Sequence, residues 1–138
     1  MYRFEYLDHT ADVGLSARAD TREELFEALA EGLADVICAR ESVAKRDAHS
    51  VLVRSDDLES LAVDFLWRVM TIIQDDAFAV AEVRVTRMSE TDIEAELLGE
   101  PYDPDRHEYG SEVKAVTWHE LKIAREGQTW VGRVILDL

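Results

Sequence analysis

Two stretches of the chain carry apolar residues at the helical period, and each covers one broad face. Leu25, Phe26, Leu29, Leu33, Val36 and Ile37 form the first. Leu58, Leu61, Ala62, Phe65, Leu66, Val69, Ile72 and Ile73 form the second. A helix with a single apolar face has to lie on something. Most of the remaining chain alternates apolar and polar residues with period two, the pattern of half-buried strands. Two one-sided helices among many strands predict one α+β domain, with both helices packed on a curved mixed β-sheet. The 138 residues suit a single domain over 1–138, large enough to bury its own core.

In chain order, Tyr2, Phe4 and Tyr6 alternate with Arg3 and Glu5, and Val13, Leu15, Ala17 and Ala19 alternate with polar or small residues. These read as two strands joined by a polar turn. Thr21 and Glu24 have the spacing of a capping box, so the first helix starts there and runs to about Cys38. Residues 40–49 are polar and of mixed charge and are expected to be loop, with His49 a surface residue. A short strand is expected at 50–54, and Asp56-Asp57 caps the second helix. Asp64 falls roughly 130° from the centre of that helix's apolar face, and Trp67 also points away from it. Residues 79–86 and 93–97 read as a hairpin around Met88-Ser89-Glu90. Pro101, Pro104 and Gly110 make 100–110 a loop. Strands follow at 113–118, 121–123 and 130–138, the last two joined by a turn at Glu126-Gly127-Gln128.

Charge narrows the function classes. Thirty acidic residues face 15 basic ones, for a formal net charge of −15. Such a chain repels nucleic acid, whose binding depends on clustered Lys and Arg, so no direct nucleic-acid contact is expected. A basic protein or a cation is the natural partner, although acidity also suits a salt-adapted proteome. The single cysteine, Cys38, reads as a small core residue in a reducing cytosol. No apolar run reaches the roughly 20 residues of a membrane span, and the amino terminus lacks a signal-peptide core. The chain has no phosphate-cradling glycine loop, nucleophile elbow or Cys/His metal pattern.

What remains is a set of oxygens. Asp8-His9-Thr10-Ala11-Asp12 places two carboxylates, an imidazole and a hydroxyl within one turn, and Asp137 lies next to Leu138 and its α-carboxylate. Each Asp alone is equally well explained as bonding the backbone of its own turn. Brought together, they would repel one another unless a cation sat among them or some stayed protonated. All-oxygen ligands suit Ca²⁺, Mg²⁺ or Mn²⁺ rather than zinc. Lys114 and His119 stand near a corner between strands, where they suit acid/base or partner-contact roles as well as plain surface.

Four motifs in order resemble the archease family: Asp8-His9-Thr10-Ala11-Asp12-Val13-Gly14; Glu100-Pro101-Tyr102-Asp103-Pro104 with His107; Glu112-Val113-Lys114-Ala115-Val116-Thr117-Trp118-His119; and Val134-Ile135-Leu136-Asp137-Leu138. Trp118 stands where that family usually has Tyr, and Trp67-Arg68 replaces an expected polar pair. The resemblance implies a small cytoplasmic, non-enzymatic activator of the GTP-dependent RNA ligase of tRNA splicing and RNA repair. Such an activator promotes ligase guanylylation and multiple turnover, and the ligase is its protein partner. The resemblance also implies a divalent-metal site, with calcium the expected ion, at the positions of Asp12, Asp137 and Leu138. Asp8, His9, Asp64, Lys114 and His119 are accessory or partner-contact candidates.

Two other readings compete with this one. The first is a chaperone-like modulator of tRNA-modifying enzymes such as methyltransferases. The second is a small metal-dependent hydrolase using the same acids to activate water. Against the hydrolase stands the lack of a general-base constellation.

Overall fold

A computed structural model describes residues 12–138. The strand expected at residues 2–6 and the turn residues Asp8 and His9 lie outside the described residues. Strand β1 (Asp12–Ala19) leads into helix α1 (Arg22–Ile37), and a 3₁₀ turn at Arg40–Ser42 leads to β2 (Asp47–Arg54). Helix α2 (Leu58–Gln74) is followed by β3 (Phe78–Met88), β4 (Asp92–Pro101), β5 (Ala115–Glu126) and β6 (Thr129–Asp137). The class is α+β, with two helices packed on β structure. Among the described residues every strand pair is antiparallel, and the strands form two sheets, ordered β1-β6-β5 and β2-β4-β3.

Local chemistry explains the helix starts. The Thr21 hydroxyl accepts the Glu24 N–H at 3.1 Å and donates to the Glu24 carboxylate at 3.3 Å. Asp57 accepts the Ser60 N–H at 2.8 Å, which makes it the N-cap of α2. Each helix then buries its apolar face in the shared core, where Phe26 and Phe65 meet with ring centroids 6.0 Å apart. Trp67 is not simply outward. It sits on the flank of α2, 36% exposed, and its indole N–H donates to the Val116 carbonyl of β5 at 3.0 Å. Gln74, the last residue of α2, holds both the N–H and the C=O of Val113 through its amide, at 2.7 and 2.9 Å.

The strands correct several expected boundaries. β2 begins at Asp47, inside the stretch expected to be loop, because residues 47–50 pair with β4 while staying largely exposed. His49 is accordingly half-buried, edge-on to Phe78 with ring centroids 5.7 Å apart. β4 extends through Glu100 and Pro101, which places the Glu100 carboxylate in the interior. Gly99 is obligatory there: a Cβ would run into the Ala79 carbonyl of β3. β5 is one strand through the expected corner, with an irregular register between Thr117 and Lys122 and a left-handed Glu120 (φ 54°). Gly127 (φ 67°) takes the positive angle that the tight β5–β6 turn requires.

The outer edge of β3 is closed by α1. Glu27 and Glu31, one helical turn apart, accept the N–H groups of Val85 and Val83 at 2.8 and 3.0 Å. Arg40 donates to the Ala81 carbonyl at 2.8 Å. The helix and the turn after it thus saturate backbone groups that an edge strand otherwise offers to another chain. Burial pushes the Glu27 carboxyl above its ordinary pKa, opposed in part by the Val85 N–H. Among the described residues no helix is long and apolar enough to cross a membrane.

Candidate metal centre

β6 is the middle strand of its sheet, and its last residue pairs on both sides. Asp137 is the register partner of Asp12 on β1 and of Ala115 on β5. Directly paired residues of antiparallel strands project from the same face, with Cβ atoms about 4.5–5.5 Å apart. Which face follows from the alternation. Val134 and Leu136 are buried and Val13 and Leu15 pack on the core, so Asp12 and Asp137 stand on the opposite side. Asp12 is exposed and Asp137 half-buried. Neighbouring Ala115 is small and adds no competing polar group. The two acids, 125 positions apart in the chain, become cross-strand neighbours solely through the β1–β6 pairing.

Like charges in this position destabilise a sheet unless something lies between them. Among the described residues neither carboxylate has an ion-pair partner. Two carboxylates on one exposed face fit a hard cation bound through oxygen. They do not complete a site alone: no group of three or more His, Cys, Asp or Glu side chains among the described residues is placed to hold a metal. Leu138 follows directly, its side chain half-buried against the core.

The accessory candidates separate. Lys114 adjoins the pair, since its N–H donates to the Asp137 carbonyl at 2.7 Å and its side chain is exposed. His119 lies on the irregular part of β5, its side chain 72% exposed and 3.4 Å from Glu120. Asp64 accepts the Ser55 hydroxyl at 2.9 Å and ties α2 to the end of β2. No described contact joins His119 or Asp64 to the Asp12–Asp137 pair.

A second polar cluster escaped sequence reasoning. Glu100, 1% exposed, accepts Arg106 through both oxygens at 3.2 and 2.8 Å, the Ala44 N–H at 2.9 Å, and His107 Nε2 at 2.8 Å. His107 Nδ1 accepts the Asp103 N–H at 2.9 Å, so Nε2 carries the proton given to Glu100. The Arg106 guanidinium, then the Ala44 N–H and His107, hold the Glu100 carboxyl down to about 2. The cluster fastens the loop after β4 and is saturated. The signal was present in the motif of Glu100 and His107, but a proline-rich stretch gave no hint of burial.

The family model of the "Archease protein family (MTH1598/TM1083)" matches residues 4–138. The chain belongs to the archease family. It is 37% identical to the protein archease of Pyrococcus abyssi, with 100% of both chains covered. It is 36% identical to that of Methanosarcina barkeri, covering 99% of this chain and 96% of the relative. The solution structure of Methanobacterium thermoautotrophicum protein 1598 superposes with a TM-score of 0.76 at 31% identity, covering 96% of each chain. The crystal structure of a Thermotoga maritima archease, described as a possible chaperone, has a TM-score of 0.65. At 19% identity over 100% of this chain and 99% of that one, it speaks for the archease fold alone.

Proposed function

We propose that this archease is a non-enzymatic activator of a GTP-dependent RNA ligase, promoting ligase guanylylation and multiple turnover in tRNA splicing and RNA repair. The observation that carries the proposal is the Asp12–Asp137 pairing, which sets two acids of separate family motifs on one exposed face. Asp12 and Asp137, with Leu138 beside them, hold a divalent cation, calcium first and magnesium or manganese next. Bound there, the cation offsets the charge of the two carboxylates at the end of the β1–β6 ladder. The residues shape a contact surface for the ligase, with the adjoining Lys114 at its border.

The net charge of −15 supports action through the protein partner rather than through RNA. The chaperone-like reading draws on the description of the Thermotoga maritima protein and extends to tRNA-modifying enzymes such as methyltransferases. Mixing the protein with a cognate ligase, RNA, GTP and Mn²⁺ under multiple-turnover conditions separates the readings. Activation predicts stimulated joining and ligase–GMP formation. Unchanged turnover, with rescue of heat-challenged methyltransferase, favours the chaperone.

A further inference from the structure

A cavity of about 280 Å³ opens where the carboxyl ends of α1 and α2 meet the loop after β4. Its walls include Tyr102, Tyr109, Gln74, Asp75 and Glu112. We propose that it binds an organic cation of side-chain size, an alkylammonium or guanidinium group.

Three independent features converge. The first is aromatic. Tyr102 and Tyr109 stand edge to face with centroids 6.3 Å apart, and Tyr109 is 51% exposed at the mouth. Tyrosine faces attract ammonium and guanidinium groups. The second is charge. Asp75 and Glu112 line the cavity, and among the described residues no Lys, Arg or His does so. Neither acid has an ion-pair partner among the described residues.

The third is the backbone. Neither helix has a basic residue in its last turn. At α1 the Val36 and Ile37 carbonyls are met by the N–H groups of Ser111 and Gly110, at 3.0 and 2.7 Å. At α2 no described backbone N–H reaches the carbonyls of Ile72, Ile73 or Gln74. Among the described residues the negative end of α2 is therefore open, a place that favours a cation.

The walls are also fixed in advance. Gln74 is locked to Val113 on both sides, and the Tyr102 N–H donates to the Ala77 carbonyl at 2.7 Å. Tyr109 forms a bridge with Cys38. Competing ligands fit less well. An anion meets two carboxylates and a helix carboxyl end. A bare divalent ion gains nothing from the tyrosines, and a neutral apolar group gains nothing from the two acids. The cavity shares no wall residue with the Asp12–Asp137 pair, so the inference stands apart from the metal reading.

Two sources supply such a cation: a free polyamine, or the Lys or Arg side chain of a partner protein. Amide NMR of the full chain, titrated with spermidine and with N-acetyl-arginine methylamide, distinguishes them. N-acetyl-norleucine methylamide serves as the neutral control. Saturable shifts at Asp75, Tyr102, Tyr109 and Glu112 are expected with a cation and not with the control. Glu112→Gln and Tyr109→Ala, both at exposed positions, each weaken binding about two- to fivefold, while Asp137→Asn leaves it unchanged. Tighter binding of spermidine assigns a free amine, and tighter binding of the arginine derivative assigns a partner's basic side chain. Equal shifts with the neutral control, no saturation by either cation, or wild-type affinity in both cavity variants overturns the proposal.

Discussion

Asp12 and Asp137 are direct cross-strand partners at the end of the β1–β6 ladder, on the face turned away from the core. This pairing has a consequence for stability that metal binding reverses. Without metal, two like charges oppose strand pairing by about 0.2–1 kcal/mol. Asp12→Asn and Asp137→Asn are therefore expected to melt slightly above the wild type in chelator. With calcium the order inverts, because only the wild type gains the binding free energy. Thermal melts in chelator and in a calcium series check this. Equal calcium shifts in all three proteins would remove both aspartates from the site.

Position 138 gives a second test. Where Leu138 supplies a terminal carboxylate to the cation, an extension after it removes that group and an amino-terminal extension does not. Metal content and ligase stimulation are expected to fall only with the carboxyl-terminal addition. Equal performance of the two proteins leaves Asp12 and Asp137 as the ligands and excludes Leu138.

Glu100 predicts a pH dependence. Its folded-state pKa of about 2 lies below the ordinary 4.5. The carboxylate therefore contributes stability that is present above pH 4.5 and is lost as pH falls from there towards 2. Glu100→Gln removes the charge that Arg106 and His107 are arranged around. At pH 7 it is expected to melt roughly 10 °C or more below the wild type, with the gap narrowing as pH falls below about 4.5. A constant gap between about pH 7 and pH 3 would contradict the assignment.

The closed edge of β3 supplies another. Glu27→Leu leaves the Val85 N–H without its acceptor and is expected to cost about 1–3 kcal/mol in denaturant unfolding. The Val85 amide should also exchange faster with solvent. Glu27→Gln keeps an acceptor oxygen and should cost much less. The raised pKa of Glu27 works in the opposite sense to that of Glu100. Its contribution is fully present below pH 4.5 and is lost as pH rises through the folded-state pKa, so Gln loses least to the wild type near neutrality. Equal losses in Leu and Gln would show that the acceptor is immaterial.

The helices were legible because their signals are local. The Thr21 box and the Asp57 cap act within a single turn, and each apolar face repeats within one element. Strand cores were legible by alternation, as at Val13–Ala19 and Ile93–Leu97. Boundaries failed where pairing overrode local composition. The polar start of β2 at Asp47 is held only by β4, and β5 continues through Glu120 in a conformation that favours glycine. The candidate site was legible as chemistry, from acids at the first and last motifs. Its geometry was not, because the Asp12–Asp137 register depends on which strand β6 joins. Glu100 was hidden for the same reason: only the fold shows that its proline-flanked carboxylate turns inward.

On the function proposed above, the Asp12–Asp137 pair carries the effect on the ligase. The most direct measurement is ligase–GMP formation over repeated turnovers, with wild type, Asp12→Ala and Asp137→Ala compared at equal folded concentration, and RNA binding measured in parallel without the ligase. Stimulation is expected with the wild type alone, with single-turnover joining by pre-guanylylated ligase indifferent to all three and RNA binding negligible at moderate salt. Full stimulation by both alanine variants, or tight RNA binding by the protein on its own, would contradict it.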